Sequence, residues 1–554
     1  MTPQRSASFR SILAALVLAV GALTGPGLAS AQGDLDNPEI RGLIEVGVQL
    51  ELARQWRDAK DHYSEALRKF PQVQHLKYGL RRSNVNFSID RRYTDESFTA
   101  EINKLSVEES LHLYEDILGR IRGYYVEPIS VTSIVAHGTE SLWLALANQR
   151  YLDENIFGAD PAAVQRLRDR LRRDYWNRET RYEEDARDLV LQIAQIAEQE
   201  TGISTQAVIH EYVFGACNCL DDYSLVLTPD RLDDLYSSID GEFVGIGIVT
   251  EAKVGQGLVL LNVLPDSPAA EAGLEPQELI AAIDGTDVTQ MSTLEAAKLL
   301  TGPSGTEVTL TVRSRQGKRT VVCTRRRVEF KSVPIATMVD TAAGIGYIRL
   351  TGFQKSTPEE MDRALAKLTA QGMRKLIWDV RGNPGGLLPA AVNVLDRFID
   401  DGVLVSTRGR AGDQDFSYSA TRPATFRGEL VLLIDGASAS ASEIVAGAIR
   451  DHRRGTVVGR KSFGKWSVQS IYPSLFASAV KLTTAKFYSP DGHNYGRRTS
   501  YDTTGGGLSP DVTVDEDAGH PIVPGFRDVK EDDPDVLMAI DVLLGQHLVA
   551  KPVQ

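Results

Sequence analysis

Cysteine is scarce in this chain. Three residues in 554 exclude a disulfide-dense scaffold. The odd count leaves at least one thiol unpaired. Cys217-Asn-Cys219 is short for a relaxed disulfide and has no second ligand pair to make a zinc site. With Cys323, these thiols are expected as small core residues. Positive charge is also in deficit: 61 basic against 74 acidic residues gives −13, which argues against a nucleic-acid binder. No run of about 18 apolar residues follows the N-terminus, so no later segment is expected to span a membrane. The familiar hydrolase signatures are missing too. There is no His-Glu-x-x-His and no Gly-x-Ser-x-Gly, the nearest string being Gly436-Ala-Ser438-Ala-Ser440. None of the nine histidines stands in a recognisable triad context. A nucleophile here would need a base other than histidine.

What is present is ordinary globular material, 42% hydrophobic and 24% charged, long enough for about three to five domains. Arg5 and Arg10, the apolar stretch Ile12 to Leu23 and Ala29-Ser30-Ala31 read as a secretory signal over 1–31. The expected location is therefore the periplasm or the exterior. Leu43, Val46, Gly47, Leu50, Ala59, Tyr63, Ala66 and Pro71 follow the spacing of one tetratricopeptide-like repeat, within an arm over 32–95. A plain helical hairpin packed on its neighbours fits the same pattern. As a functional element the arm would dock an adaptor or mediate self-association. A helical region follows over 96–240. In it Ser106-Val-Glu-Glu109 is a capping box opening a helix with Leu111, Tyr114, Leu118 and Ile121 on one face. Its charged stretch from about 150 to 200 reads as solvated helices.

A small β-rich domain is expected over 241–328, with a strand at Leu258 to Leu264, another at Glu307 to Arg313, and a helix carrying Met291, Leu294, Ala297 and Leu300. From 329 to 520 the pattern is mixed α/β. Strands at 345–350, 376–380, 430–434 and 456–458 alternate with helices at 358–371, 387–399 and 441–450. Residues 521–554 read as a Pro- and Asp-rich link and a short helix.

Three stretches of the α/β region carry chemistry. In Leu430 to Ile444 a buried strand turns into a helix whose start holds Ser438, Ser440 and Ser442. Unpaired N–H groups and the helix dipole there favour developing negative charge, as an oxyanion hole requires. Ser440-Ala-Ser-Glu443 is equally a capping box. In Gly459 to Gln469, Lys465 sits between aromatic residues on a glycine-containing turn. Acting as a base near neutrality would require its pKa to fall from about 10.4 to about 7–8, which burial can supply. In Leu376 to Gly386 a strand runs into a Gly-rich turn able to aim N–H groups at an anion. A phosphate site is the competing reading, but no Gly-Lys-Ser/Thr follows.

Together with Gly241-Glu-Phe-Val-Gly-Ile-Gly-Ile248, Ser267-Pro-Ala-Ala-Glu-Ala-Gly-Leu274, Asp379-Val-Arg-Gly-Asn-Pro-Gly-Gly386, Ser438-Ala-Ser-Ala-Ser-Glu443, Ser462-Phe-Gly-Lys465 and Gly507-Leu-Ser-Pro-Asp511, these strings resemble the carboxyl-terminal processing peptidases, or tail-specific proteases. The resemblance covers about 106–150 and 210–515. It implies a multidomain α/β protein: a Clp-protease- or crotonase-like core of ββα units, an inserted PDZ domain and an N-terminal helical region. It implies Ser440 as nucleophile, Lys465 as base and Gln469 orienting the lysine. The backbone N–H groups of Ala441 and Gly386 would form the oxyanion hole, and Asp451 would give structural support. Protein or peptide substrates with apolar C-termini would be held by their terminal carboxylate at Gly245, Ile246, Gly247 and Ile248, the tail adding as a β-strand. No metal and no organic cofactor is implied. Two departures stand out: Trp466 replaces the family's glycine after the lysine, and Pro276-Gln277-Glu278 replaces Pro-Gly-Asp. With Trp466 as a lesion, the alternative is a catalytically inactive PDZ and helical-arm scaffold, or a latent peptidase that needs a partner.

Overall fold

The computed structural model describes residues 36–497, 505–515 and 533–546, apart from positions 159, 254, 292, 303, 315 and 316. The expected signal segment lies outside the described residues. The chain divides into two units. Within the described residues the first holds 36–232 and 469–485; the second holds 233–468, 486–496 and the described residues from 506 onward.

The first unit is mainly helical. Asn37 caps helix α1 (Pro38–Leu52) by accepting from the Glu39 N–H at 2.9 Å. Helices α2 (Trp56–Lys69) and α3 (Gln74–Arg92) follow. Tyr63 of α2 fits between two glycines: a Cβ at Gly47 or at Gly79 would come within 2.3 Å of its ring. Its hydroxyl donates to Glu51 at 2.6 Å, and Arg82 grips Glu51 with two 2.9 Å bonds. Val46 departs from the repeat pattern, being 50% exposed. The capping box at Ser106 forms and opens α4 (Val107–Tyr124), whose Leu111, Tyr114, Leu118 and Ile121 are buried as expected.

Helices α5 (Val131–Ala145), α6 (Glu183–Thr201) and α7 (Thr205–Gly215) share that core. The charged stretch after 150 is more than a solvated surface. Leu167, Leu171, Val190, Ile193 and Ala194 enter the same core while its charges pair at the rim, Arg187 with Glu108 for example. Leu225–Leu227 pairs antiparallel with Ala479–Lys481, and Val480 and Leu482 pack into the helical core.

The second unit begins with a β-rich domain. Strands β1 (Ile248–Lys253), β2 (Gly257–Val263), β3 (Leu279–Ile283), β4 (Glu307–Ser314) and β5 (Gly317–Thr324) lie in chain order, with α8 (Thr293–Leu300) packed on β1 and β3. Leu258, Leu260, Ile280, Val308, Leu310 and Val312 form its core. The altered turn keeps a left-handed residue: Gln277 has φ +73 and donates its N–H to the Leu260 carbonyl at 2.7 Å. Glu278 turns inward to a two-pronged bond from Arg319, at 2.8 and 2.9 Å.

The larger domain is a six-stranded sheet whose spatial order again follows the chain: β6 (Ile335–Asp340), β7 (Ile345–Arg349), β8 (Lys375–Asp379), β9 (Glu429–Ile434), β10 (Thr456–Gly459) and β11 (Val512–Thr513). β6 is antiparallel to β7 and every later pair is parallel. Parallel neighbours require crossovers. These are α9 (Thr357–Ala370), α10 (Leu388–Leu395) and α11 (Ala441–Asp451). The middles of the parallel strands are apolar because both faces are covered, and their charged residues, Lys375, Glu429, Arg349 and Asp379, stand at strand ends. Ile348, Leu376, Trp378, Leu430, Leu432 and Val457 face the crossover helices. Ile345, Tyr347, Ile377, Val431, Leu433 and Val458 face a last helix, α12 (Pro534–Leu543), which contributes Val536, Ala539 and Leu543.

Candidate active site

Three turns leave the same end of this sheet: 380–386 after β8, 435–440 after β9 and 460–465 after β10. The first is organised by Asp379. Its carboxylate accepts from the Tyr347 hydroxyl at 2.6 Å, from Arg349 at 3.1 Å and from the Arg381 guanidinium at 2.7 Å. Burial works to raise the Asp379 pKa, but the charges of Arg381 and Arg349 outweigh it and hold it low. Asn383 then joins the first turn to the second. Its side chain accepts from Gly385 N–H at 2.9 Å, and its carbonyl accepts from Ala439 N–H at 3.0 Å.

The three serines part company here. Ser438 donates its hydroxyl to the Val380 carbonyl at 2.8 Å, and Ser442 donates to the Asn383 carbonyl at 3.0 Å. Both are 0% exposed. Ser440 is 9% exposed and stands at the N-cap of α11 with φ +56, a conformation that costs a non-glycine residue about 1–3 kcal/mol. Gly385 approaches it so closely that an added Cβ would lie 2.7 Å from the Ser440 Cβ and 2.9 Å from the Ala441 nitrogen. Gly386, with φ +147, is closed in by the Phe353 backbone, 2.2 Å from where its Cβ would be. Among the described residues no acceptor engages the N–H of Ala441 or of Gly386.

Glu443 ties the second turn to the third. Fully buried, it accepts from Ser440 N–H (2.9 Å), Ser462 hydroxyl (2.6 Å), Gly464 N–H (2.6 Å) and Lys465 N–H (2.7 Å). Burial pushes its pKa up, against the pull of these four donors. The sequence marked Glu443 only as the far member of a capping box, and the Ser440 N–H bond is that half of the motif. Its grip on the lysine turn joins groups about twenty residues apart, which local spacing does not reveal.

Lys465 itself is half-buried. Trp466 is buried in the core, where its ring meets Gly447 of α11 (3.0 Å from an added Cβ) and lies edge-on to Tyr495 at 4.9 Å. The Trp466 carbonyl accepts from Phe487 N–H at 3.0 Å and from the Asn494 side chain at 3.1 Å. Gln469 belongs to the first unit and donates to the Thr483 hydroxyl at 3.2 Å. Asp451 ends α11 and accepts from Asp491 N–H at 3.1 Å.

In the β-rich domain, Gly245 to Ile248 forms the bend into β1. Gly247 has φ +81, and a Cβ there would sit 2.2 Å from the Ser267 Cβ. The carbonyls of Ile246 and Gly247 turn inward to Ala269 and Leu264 N–H groups, each at 2.9 Å. Among the described residues β1 pairs on one side only, with β2. All three cysteines are free thiols. Burial raises Cys217, brings Cys219 to about 12 and brings Cys323 to about 11. Among the described residues no cluster of His, Cys, Asp or Glu is arranged to hold a metal, and no helix is long and apolar enough to cross a membrane.

Residues 344–514 match the model of peptidase family S41, and residues 259–314 match that of the PDZ domain. The carboxy-terminal-processing protease of Bartonella bacilliformis is 36% identical over 320 residues, covering 56% of this chain and 70% of that one. The carboxyl-terminal-processing protease of a Synechocystis species is 32% identical over 334 residues, covering 60% and 75%. Among solved structures, the photosystem II D1 C-terminal processing protease aligns at 25% identity over 71% of this chain and 95% of that one, with a TM-score of 0.38. By the family model and the identity to these relatives, the chain belongs to the carboxyl-terminal-processing proteases of peptidase family S41, serine-type peptidases that here carry a PDZ domain.

Proposed function

We propose that the protein is a secreted or periplasmic endopeptidase that holds protein C-termini in its PDZ domain and cleaves with a Ser440–Lys465 dyad. One observation carries the choice of nucleophile. Of the three serines at the start of α11, Ser438 and Ser442 are 0% exposed and give their hydroxyls to carbonyls of the Gly-rich turn, whereas Ser440 keeps 9% of its surface exposed. In the reaction Ser440 attacks the scissile carbonyl and passes its proton to the Lys465 amine. Charge developing on the carbonyl oxygen is received by the N–H groups of Ala441 and Gly386 at the positive end of α11. Collapse releases the amine, which takes the proton back from Lys465, and leaves an acyl-Ser440 ester. Water, activated by the same lysine, hydrolyses it. The buried Glu443 supports this pairing, because one carboxylate fixes the backbones of both partners.

Along the bend Gly245, Ile246, Gly247 and Ile248, the carbonyls of Ile246 and Gly247 turn inward, which favours N–H groups facing a terminal carboxylate. The open edge of β1 suits an added apolar tail. The sequential βαβ units fit a Clp-protease- or crotonase-like core. The packing of Trp466 against Gly447 favours an enzyme over an inactive scaffold, since the bulky ring lies in the core.

The test uses residues 32–554 and the Ser440→Ala and Lys465→Ala variants, each incubated with an unfolded protein bearing an apolar C-terminus. The parent is expected to cleave and each variant to lose about 10⁴-fold or more in kcat. Equal cleavage by Ser440→Ala would sink the assignment.

A further inference from the structure

The outer face of the sheet carries a cluster of charge that the reaction does not use. Arg381 opens the Gly-rich turn, and Arg460 opens the lysine turn. Both reach the start of α12. Arg381 donates to Asp533 at 2.9 and 3.0 Å and to Asp535 at 2.6 Å. Arg460 donates to the same Asp535 oxygen at 2.7 Å. Asp535 is 1% exposed, and its other oxygen has no partner among the described residues. With Arg349 and Asp379, three arginines face three aspartates.

Burying carboxylates is costly, and paired buried charges are weak evidence for stability. The helix has other anchors. Val536, Ala539 and Leu543 cover the sheet, and Lys375 caps its C-terminal end by donating to the Leu543 carbonyl at 2.5 Å. The two acids therefore do more than attach a helix: they fix where two arginines stand. Arg381 leads within a few residues to Asn383 and Gly385, which contact the Ser440 turn, and Arg460 leads to Ser462, Gly464 and Lys465, which bond Glu443. We propose that the start of α12 is a brace for the active site, with Asp535 a positioning residue that holds the oxyanion turn and the lysine turn in register through Arg381 and Arg460. The proposal rests on the Ser440–Lys465 reading.

The test is made in the full chain with Asp535→Asn and Arg460→Gln, and with Leu537→Ser on the exposed side of α12 as control. Three quantities are read: kcat, KM for a peptide with an apolar C-terminus, and the rate at which a fluorophosphonate labels the serine. Labelling needs the nucleophile, its base and the oxyanion hole but no PDZ contact. The brace predicts that kcat and the labelling rate fall together by about tenfold or more, with KM unchanged. Leu537→Ser is expected to match the parent. Should Asp535→Asn fail to fold, Arg460→Gln decides, because Arg460 lies nearer the surface and leaves Arg381 paired with Asp379. Folded variants whose kcat and labelling rate stay within about twofold of the parent overturn the brace, as does a loss confined to KM. The two failures are separable. The dyad fails if Ser440→Ala keeps its activity; the brace fails if these variants keep theirs in a chain that Ser440→Ala silences.

Discussion

Each unit of the molecule buries an arginine against a carboxylate, and the two do so for different ends. In the helical unit Arg92 pairs with Glu211, and both are almost fully enclosed. The guanidinium lies over Phe214 at 4.5 Å, Ser141 completes the Glu211 carboxylate at 2.9 Å, and a neutral His210 bonds Ser110 at 3.0 Å beside it. Arg92 ends α3, Ser141 lies in α5 and Glu211 in α7, so what the pair fixes is the crossing of three helices. In the sheet domain, Asp379, Arg381 and Arg460 sit where strands give way to turns, and the two arginines pair with Asp533 and Asp535 at the start of α12. The same chemistry, placed at strand ends, sets the direction in which irregular backbone departs. A buried ion pair thus takes its meaning from the rigidity of what it is attached to.

The contrast can be broken by experiment. Glu211→Gln leaves Arg92 buried and uncompensated and is expected to cost about 3–5 kcal/mol in denaturant unfolding, while the folded fraction cleaves at the parental rate. The double change Arg92→Met with Glu211→Leu should recover most of that loss. A fall in kcat for the folded Glu211→Gln chain would erase the distinction. In the other unit, Gly385→Ala drives a Cβ against Ser440 and should lower kcat by about 100-fold with KM unchanged in peptide cleavage. Ser438→Ala removes one of the two donors to the Val380 carbonyl, leaving the Asn383 N–H at 3.2 Å, and should cost about 0.5–1.5 kcal/mol by thermal unfolding, with a smaller fall in kcat than at Gly385.

The smallest effect is a pH slope. Burial, aided by the Arg92 charge, depresses His210 from 6.5 to about 3. The folded chain therefore keeps His210 neutral where the unfolded chain is protonated. Its contribution is fully present above pH 6.5 and is lost as pH falls toward 3, at about 1.4 kcal/mol per unit. Unfolding curves collected between pH 7 and 5 should show that slope, and His210→Gln should flatten it.

Much of the sheet was legible because each parallel strand is apolar on both faces and each crossover helix repeats at helical spacing. The strand expected at 430–434 and the helix expected at 441–450 appear as β9 (Glu429–Ile434) and α11 (Ala441–Asp451). The short helix after 521 appears as Pro534–Leu543. Other features depended on partners distant in sequence. Ser438, Ser440 and Ser442 look alike along the chain, and what separates them is a carbonyl at Val380 and another at Asn383. Asp533 and Asp535 read as part of a Pro- and Asp-rich link, since their partners Arg381 and Arg460 lie far upstream. The charged stretch after 150 forms the helices its spacing implies, and what its charge did not reveal is that its apolar residues enter the same core as α4. Whether Trp466 would desolvate the lysine or obstruct the site was open, because spacing does not say which way a ring points, and Gly447 is what receives it.

The strand order of the sheet has a kinetic consequence. From β7 to β11 every strand lies beside the one made before it, so during synthesis each new βα unit finds its docking edge already present. Helix α12 is the exception: it returns to cover strands laid down long before it. A ribosome therefore releases Ser440 and Lys465 well before the residues that seat Arg381 and Arg460. If those seats matter as proposed, the nascent chain passes through the whole assembly of its sheet as an unarmed protease, and its cutting power is switched on by the arrival of its own tail end.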